Sequence, residues 1–264
     1  MVAAMPRPTA LLWDNDGILV DTEGLYFAAT RDELATVGVE LDEALYLQLF
    51  LREGRGAFHL ARERGLGDAQ IEALRAARDQ RYADLLRTGA RVFDGAVQAV
   101  ASLARHYRMA IVTSSERDHF ELIHRSTGLL HHFEFVLTHG DYARAKPSPD
   151  PYLAALARIG LPAEACLVIE DSERGLRAAR AAGIRCWAVP SRLARDGSFA
   201  GAERVFDSLG DLARALVEDG PAPGGARRAR SRSSARRVRR PLTVASGHAG
   251  AIARCTRRSG GRRG

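Results

Sequence analysis

The sequence predicts an α/β fold, a doubly wound parallel sheet with a small all-helical cap domain, on the basis of two observations. Short apolar runs, each ending at a polar residue, alternate with helical patterns over most of the chain. This alternation is typical of parallel strands connected by helices that cover both faces of a sheet. A long segment after the first run carries helical patterns only.

Five apolar runs are the predicted strands: TALLWD (9–14), MAIVTSS (109–115), FEFVLT (133–138), ACLVIED (165–171) and RCWAVP (185–190). Polar residues lie where these runs end, among them Asp14, Thr113, Glu170 and Asp171. The carboxyl ends of parallel strands form the edge of the sheet at which ligands bind. We therefore expect these side chains to lie close together at one edge.

The segment between the first two strands has a different character. Helical periodicity extends over residues 23–37, 42–52 and 68–87, and glycines at positions 54, 56, 65 and 67 interrupt it. A helical insertion at this point would stand over the carboxyl edge of the sheet as a cap that opens and closes. We expect a core of residues 1–20 and 91–218 and a cap of residues 21–90.

The basic charge of the chain is concentrated near its C-terminal end. Residues 221–264 contain 13 of the 39 basic residues and no acidic residue, which leaves 26 basic and 32 acidic residues, a net charge of −6, in 1–220. Because this segment lacks apolar periodicity, we expect a disordered arginine-rich tail over residues 219–264. All that such a run guarantees is sequence-independent attraction to phosphate, which allows weak, nonspecific contact with nucleic acid. The alternative is a solvated extension without a function.

The composition of the chain indicates a globular protein and bears on its location in the cell. Hydrophobic residues make up 46% of the 264 residues, enough for a substantial core. No run approaches the roughly 18 to 20 apolar residues of a membrane helix, and the first residues lack a long apolar signal region. We therefore expect a cytoplasmic monomer with no membrane partner. The cysteines, Cys166, Cys186 and Cys255, lack the spacing of a zinc site or disulfide framework, and the first two are predicted strand residues.

Asp14 and Asp16 lie two residues apart where the first strand meets a turn marked by Gly17. Residues i and i+2 of an extended backbone point the same way, so the two carboxylates can act on one ligand. Aspartate and glycine after a strand are also ordinary turn residues. The pair alone leaves both interpretations open.

Four segments in order resemble the motifs of the haloacid dehalogenase (HAD) superfamily: DNDG at 14–17, IVTS at 111–114, AKPSPD at 145–150, and IEDS at 169–172 followed by Gly175. The resemblance extends over residues 9–218, in the branch with a helical cap that includes phosphoglycolate phosphatase-like and β-phosphoglucomutase-like proteins. It implies a Rossmann-like core, with Asp14 as the nucleophile and Asp16 as the acid/base. Because the dehalogenases lack this second aspartate, Asp16 indicates phosphoryl transfer.

A phosphate monoester is anionic and repels an anionic nucleophile, so the site must supply positive charge. Asp14, Glu170 and Asp171 offer three hard carboxylate ligands for Mg²⁺. The resemblance adds the main-chain carbonyl of Asp16 as a further ligand. An alternative function for Glu170 and Asp171 is to cap the following helix, whose start favours acidic residues.

Lys146 is the only lysine of the chain, among 38 arginines. A compact ammonium can lie between a nucleophile and a phosphate, where the broad guanidinium fork requires a different geometry. We therefore expect Lys146 to act in catalysis and to bind the phosphate. The alternative is an ordinary exposed lysine at a helix start.

Further residues are predicted to bind the substrate. The Thr113 hydroxyl can donate to a phosphoryl oxygen, and Ser114 follows it where a helix begins and anions bind readily. Threonine is also a common strand residue. Arg52, Arg55 and His59 of the cap are predicted to contact the substrate because caps of this branch supply specificity groups.

These residues together predict a magnesium-dependent phosphatase that hydrolyses a small metabolite, a sugar phosphate or a phosphoglycolate-like compound, through an aspartyl phosphate. Two alternatives remain. One is a β-phosphoglucomutase-like phosphomutase, and the other is a nucleic-acid binder that works through the tail. Tyr26 argues against the mutase, because β-phosphoglucomutase-like sequences carry a histidine twelve residues after the nucleophile, where this chain has Tyr26.

Overall fold

The structure is a computed structural model, and it describes residues 7–218. The segment predicted to be a disordered tail and Cys255 lie outside the described residues. Within them, Cys166 and Cys186 lie on strands, as predicted.

The strands in chain order are β1 (Ala10–Trp13), β2 (Val20–Asp21), β3 (Arg91–Val92), β4 (Arg108–Val112), β5 (Phe135–Leu137), β6 (Cys166–Glu170), β7 (Arg185–Ala188) and β8 (Arg204–Val205). Six of them form one parallel sheet in the order β5-β4-β1-β6-β7-β8. All five predicted strands belong to this sheet, and β8 is an additional edge strand. The remaining two, β2 and β3, pair as a short antiparallel ribbon.

The α-helices in chain order are α1 (Glu23–Ala35), α2 (Glu43–Tyr46), α3 (Phe58–Glu63), α4 (Asp68–Gly89), α5 (Ala96–Leu103), α6 (Arg117–His124), α7 (Asp150–Ile159), α8 (Glu173–Ala181) and α9 (Leu209–Glu218). A π-helical segment, Leu47–Glu53, directly follows α2. Short 3₁₀ turns cover Leu130–His132 and Ala163–Ala165.

Both faces of the sheet are buried, which explains why its strands are continuous apolar runs. Side chains alternate between the faces along β1, so Leu11 and Trp13 pack with α5, α6 and α9. Ala10 and Leu12 pack with α7 and α8 on the opposite face. The predicted doubly wound parallel sheet is confirmed.

The helices α1 to α4 lie between β2 and β3 in the chain and form the helical cap that was predicted. They enclose an apolar cluster of their own, which includes Leu34, Tyr46, Phe50 and Ile71. The helical pattern predicted over 42–52 corresponds to α2 followed by the π-helical segment. Helix α3 was not predicted. The proposed cap boundaries fall within the β2/β3 ribbon, and the division of the chain there stays a prediction.

Within residues 7–218, no helix is both long and apolar enough to cross a bilayer. The cytoplasmic location and the monomeric state stay predictions.

Candidate active site

The carboxyl end of β1 presents the two aspartates of the first motif. The amide of Asp14 donates to the Ile169 carbonyl at 2.9 Å, which extends the pairing of β1 with β6 by one residue. The chain then turns through Gly17, whose φ of +84° is a conformation that favours glycine. The turn therefore comes directly after Asp16, three residues beyond the end of β1 at Trp13.

Lys146 lies between two carboxylates beneath this turn. Its Nζ donates to Asp14 Oδ1 at 2.7 Å and to Glu170 Oε1 at 2.6 Å. A third hydrogen bond, of 2.9 Å, goes to the carbonyl of Val112 at the end of β4. The side chain is 2% exposed, and the three bonds match the three donors of an ammonium group. This arrangement fits a lysine and excludes the alternative of an ordinary exposed lysine.

Glu170 is fully buried and is held by both of its oxygens. Oε1 also accepts a hydrogen bond from the Tyr152 hydroxyl at 2.7 Å. Oε2 accepts from the Ser172 hydroxyl at 3.1 Å and from the Asp171 amide at 3.2 Å. The carboxylate lies against the backbone of α8, where a Cβ at Gly175 would come within 1.9 Å of Oε1. Glycine is therefore required at this position of α8.

Asp171 supplies an unpaired oxygen to the same cluster. Its Oδ2 is buried and has no hydrogen-bond partner among residues 7–218. It lies so close to the turn after β1 that a Cβ at Gly17 would be 2.0 Å away. Oxygens of Asp14, Glu170 and Asp171 lie within 4.8 Å of one another, so the cluster fits a hard cation such as Mg²⁺. The N-cap of α8 is Ser172, which accepts from Gly175, so capping does not account for the two acids.

The pKa values of this cluster follow from its burial. Burial raises the pKa of Asp14 to about 7, and the charge of Glu170 adds to this shift while Lys146 opposes it. Burial and the charges of Asp14 and Glu170 also raise the pKa of Asp171 well above its ordinary value. Burial alone would raise the pKa of Glu170, but Lys146 lowers it. Asp14 and Asp171 are therefore more stable when they carry a proton or bind a cation than as free carboxylates.

Asp16 is held by four side chains rather than by the lysine cluster. Its Oδ1 accepts from the Thr22 hydroxyl at 2.5 Å. Its Oδ2 accepts from Ser115 at 2.7 Å, from Thr113 at 3.0 Å and from the Asn15 amide at 3.3 Å. Asp14 and Asp16 therefore have separate surroundings, one dominated by a cation and the other by neutral donors.

A cavity of about 140 Å³ lies between these aspartates and the cap. Asp14, Asp16, Ser114, Ser115, Glu116, His119 and Arg174 line its core side. Thr22, Glu23, Tyr26, Tyr46, Phe50, Arg78, Asp79 and Tyr82 line the opposite side. The nucleophile and acid/base predicted from the sequence thus line one polar cavity.

The sequence model of the haloacid dehalogenase-like hydrolase family matches residues 11–189. The chain belongs to this family. Protein CbbY of Rhodobacter capsulatus is 34% identical to this chain over 227 residues, which cover 79% of this chain and 97% of CbbY.

Two further HAD-like relatives carry names that state a substrate or a ligand. Fructose-1-phosphate phosphatase YqaB of Escherichia coli is 29% identical over 181 residues, 67% of this chain and 94% of YqaB. A mutant of CbbY from Rhodobacter sphaeroides, solved in complex with xylulose-(1,5)bisphosphate, has a TM-score of 0.67 and 29% identity. That match covers 78% of this chain and 96% of the solved chain.

The structure brings together the HAD-motif residues predicted to form the site: Asp14, Asp16, Thr113, Ser114, Lys146, Glu170 and Asp171. Thr113 donates to Asp16, so in this structure its hydroxyl orients the carboxylate of the predicted acid/base. Ser114 lines the cavity, and its Oγ has no hydrogen-bond partner within the described residues. Its predicted contact with phosphate stays a prediction.

The cap residues expected to contact the substrate lie elsewhere. Arg52 pairs with Glu173 at 3.3 Å and Arg55 with Glu53 at 3.4 Å, and neither lines the cavity. His59 does not line it either. For Arg52, which lies in the π-helical segment, i→i+5 bonding turns the side chain away from where α-helical spacing would place it. Arg55 and His59 come after this segment and after the left-handed turn at Gly54, so helical periodicity carried over from 42–52 does not determine where they point.

Two other arginines line the cavity of this HAD-like hydrolase, and sequence reasoning missed both. Arg78 lies on α4 with its guanidinium 4.6 Å from the centre of the Tyr26 ring, and it donates to the Tyr26 hydroxyl. Arg174 lies on α8, and its Nε is buried without a hydrogen-bond partner among residues 7–218. Its position directly after the last motif was the available signal, whereas nothing distinguished Arg78 among 38 arginines.

Proposed function

We propose that this protein is a magnesium-dependent phosphatase that hydrolyses a small sugar phosphate through an aspartyl phosphate on Asp14. It is a phosphoric monoester hydrolase of the HAD-like family, as the motifs predicted. One observation carries the proposal. Asp14 belongs to the buried cluster with Lys146, Glu170 and Asp171, and it lines the same cavity as Asp16.

In the first step a carboxylate oxygen of Asp14 attacks phosphorus, and the bond from phosphorus to the sugar oxygen breaks. Asp16 gives its proton to that leaving oxygen. In the second step Asp16 takes a proton from water, whose oxygen attacks phosphorus and releases Asp14. Lys146 holds Asp14 in place through its 2.7 Å hydrogen bond and partly offsets the negative charge that gathers around phosphorus.

The carboxylates of Asp14, Asp171 and Glu170, with the main-chain carbonyl of Asp16, would hold the magnesium ion. Bound there, the ion would supply positive charge against the repulsion between the phosphate and Asp14. Oδ2 of Asp171, which has no hydrogen-bond donor within the described part of the chain, supports this assignment, since a buried carboxylate oxygen without a donor is costly unless a cation satisfies it.

The cavity supports a sugar phosphate as the substrate. Its volume of about 140 Å³ suits a small molecule, and Glu23, Arg78 and Arg174 give its walls both acceptors and donors for hydroxyl groups. Two cationic side chains also suit an additional anionic group. The substrate for which YqaB is named and the ligand bound to the CbbY mutant are both sugar phosphates.

Tyr26 supports hydrolysis over the phosphomutase alternative. Burial raises the pKa of Tyr26 above its ordinary value, so the side chain stays a neutral phenol near pH 7. It is also held in place, since Arg78 donates to its hydroxyl and Tyr82 packs edge-on at 5.0 Å. It cannot provide the titratable ring found at this position in β-phosphoglucomutase-like sequences.

The test is a panel of phosphate esters that includes fructose 1-phosphate and xylulose 1,5-bisphosphate, assayed with Mg²⁺ and with EDTA. We expect magnesium-dependent release of inorganic phosphate and no accumulation of an isomeric sugar phosphate. Asp14→Asn should lose at least about a hundredfold in rate, the low end of what one catalytic group contributes. Asp196→Asn, at an exposed aspartate, is the matched control and should keep its activity.

Isomerisation of a sugar phosphate faster than phosphate release would favour the mutase instead. The nucleic-acid alternative concerns residues 221–264, which lie outside the described residues, and it stays a prediction. Any such binding should disappear with that segment and weaken steeply with salt.

A further inference from the structure

A chain of buried hydrogen bonds leads from the surface of the core to Asp16, and the catalytic steps above do not use it. His124, at the end of α6, has Nδ1 at 2.9 Å from the Thr127 hydroxyl and Nε2 at 2.7 Å from Asn15 Oδ1. Asn15 Nδ2 in turn donates to Asp16 Oδ2 at 3.3 Å. His124 is 6% exposed and Asn15 is completely buried.

Only one assignment of donors and acceptors satisfies every hydrogen bond from Thr127 to Asp16. A carboxylate can only accept, so the Asn15 amide must turn its NH₂ group toward Asp16 and its oxygen toward His124. His124 must therefore carry a proton on Nε2. Burial lowers the pKa of His124 to about 4, so the ring is neutral near pH 7 and its Nδ1 accepts from Thr127.

Asn15 cannot adjust independently of the two aspartates on either side of it. Its carbonyl accepts from the amides of Leu19 at 2.8 Å and Val20 at 3.2 Å, which fixes the turn after β1. The amide side chain is then the remaining degree of freedom, and His124 fixes it. His124 lies 109 residues from Asn15 in the sequence.

The two oxygens of Asp16 are held unequally. Oδ2 accepts from Asn15, Thr113 and Ser115, whereas Oδ1 accepts from the Thr22 hydroxyl. An oxygen that accepts three hydrogen bonds has little capacity left to carry a proton. Oδ1 is therefore the oxygen suited to exchanging a proton with the leaving group and with water.

We propose that His124 and Asn15 are positioning residues for Asp16, which fix the orientation of its carboxyl group so that Oδ1 carries the catalytic proton. The inference rests on the proposed phosphatase function. Neither residue contacts the cavity, so both act through Asp16. Losing either one should disturb one of the four hydrogen bonds that orient the carboxyl group and should slow the steps in which it transfers a proton.

The test compares two esters by kcat/KM, which reports formation of the aspartyl phosphate. Fructose 1-phosphate needs a proton on its leaving oxygen, whereas 4-nitrophenyl phosphate releases a stable phenolate and does not. His124→Leu and Asn15→Leu should lower kcat/KM for the sugar phosphate by about tenfold to a hundredfold, the range expected when a catalytic group is displaced by up to an ångström. The value for the aryl phosphate should change less than about threefold. A fall of the same size for both esters would overturn the proposal.

His124→Gln is the conservative variant, because its amide can donate to Asn15 Oδ1 from a similar position, and it should restore most of the sugar phosphate activity. In the Asn15→Leu background, His124→Leu should have no further effect on the ratio of the two kcat/KM values, since both act through one contact. Additive losses would contradict the shared role.

A measurement on the unaltered protein is independent of folding defects in variants. The ¹⁵N spectrum of His124 should show the neutral tautomer protonated on Nε2 between pH 6 and 8. A proton on Nδ1 alone would overturn the proposal. If the unaltered enzyme hydrolyses neither ester, the proposed function fails; if it hydrolyses both and the variants lack the selective loss, only this inference fails.

Discussion

Raising the pH from 6 to 8 should strengthen the binding of Mg²⁺ to the free enzyme by about tenfold or more. The pKa of Asp14 lies near 7 in the folded protein, against an ordinary value of 3.8. Because the folded state favours the protonated carboxyl, this group stabilises the metal-free protein fully below about pH 4, and the contribution is lost as the pH rises through 7. Magnesium requires the ionised carboxylate and therefore competes with the proton.

The magnitude follows from the ionised fraction of Asp14. At pH 6, one unit below this pKa, about a tenth of the Asp14 carboxyl is ionised, and at pH 8 about nine tenths is ionised. The apparent dissociation constant should fall by the same factor of about ten, which corresponds to about 1.4 kcal/mol. The raised pKa of Asp171 makes the dependence steeper.

Thermal unfolding with increasing Mg²⁺, at constant ionic strength and at pH 6 and pH 8, measures the apparent dissociation constant of Mg²⁺. The stabilisation by a bound ligand grows as RT ln(1 + [Mg²⁺]/Kd). Asp171→Asn should remove most of the stabilisation at both pH values, and Asp196→Asn should leave it intact. Equal dissociation constants at the two pH values would refute the reasoning, since Asp14 would then be ionised in the metal-free protein despite its burial.

Three further predictions concern single side chains. Lys146→Arg should lose about a hundredfold in kcat, because a guanidinium cannot make the three short bonds of the ammonium, and a rate near that of the unaltered enzyme would contradict this. Gly175→Ala should displace Glu170 and destabilise the fold by about 1–3 kcal/mol in chemical denaturation, whereas Gly24→Ala, with nothing within 4 Å, should be neutral or stabilising. Arg78→Gln should raise KM several-fold for a sugar phosphate, and Arg55→Gln should leave it unchanged; the reverse result would restore the sequence-based assignment.

The sheet could be predicted because strands buried on both faces produce apolar runs that no other element of this length explains. The motif residues could be predicted for a related reason, since each follows such a strand and parallel strands bring their carboxyl ends together. The ribbon of β2 and β3 could not be predicted, because two-residue strands have no periodicity and pair across about seventy residues of sequence.

The cavity walls depend on how the cap helices rotate over the core, which side-chain spacing alone does not determine. Arg52 and Arg55 illustrate the difficulty, because Arg52 lies in the π-helical segment and Arg55 follows the left-handed turn that ends it. His124 illustrates another. Its function depends on one contact with a residue far away in sequence, and its neighbours carry no motif that would distinguish it from the other histidines.

The charges buried under the cavity also determine the order in which the cation and the substrate bind. When Asp14, Glu170 and Asp171 are ionised, Lys146 compensates one of their three negative charges, and a net charge of −2 remains below the cavity floor. A phosphate dianion that arrived first would meet this charge across a few ångströms of protein. A divalent cation brings the total to zero. At a pH high enough to ionise both Asp14 and Asp171 in the metal-free protein, we therefore expect compulsory order, with the cation entering before the substrate and leaving after inorganic phosphate.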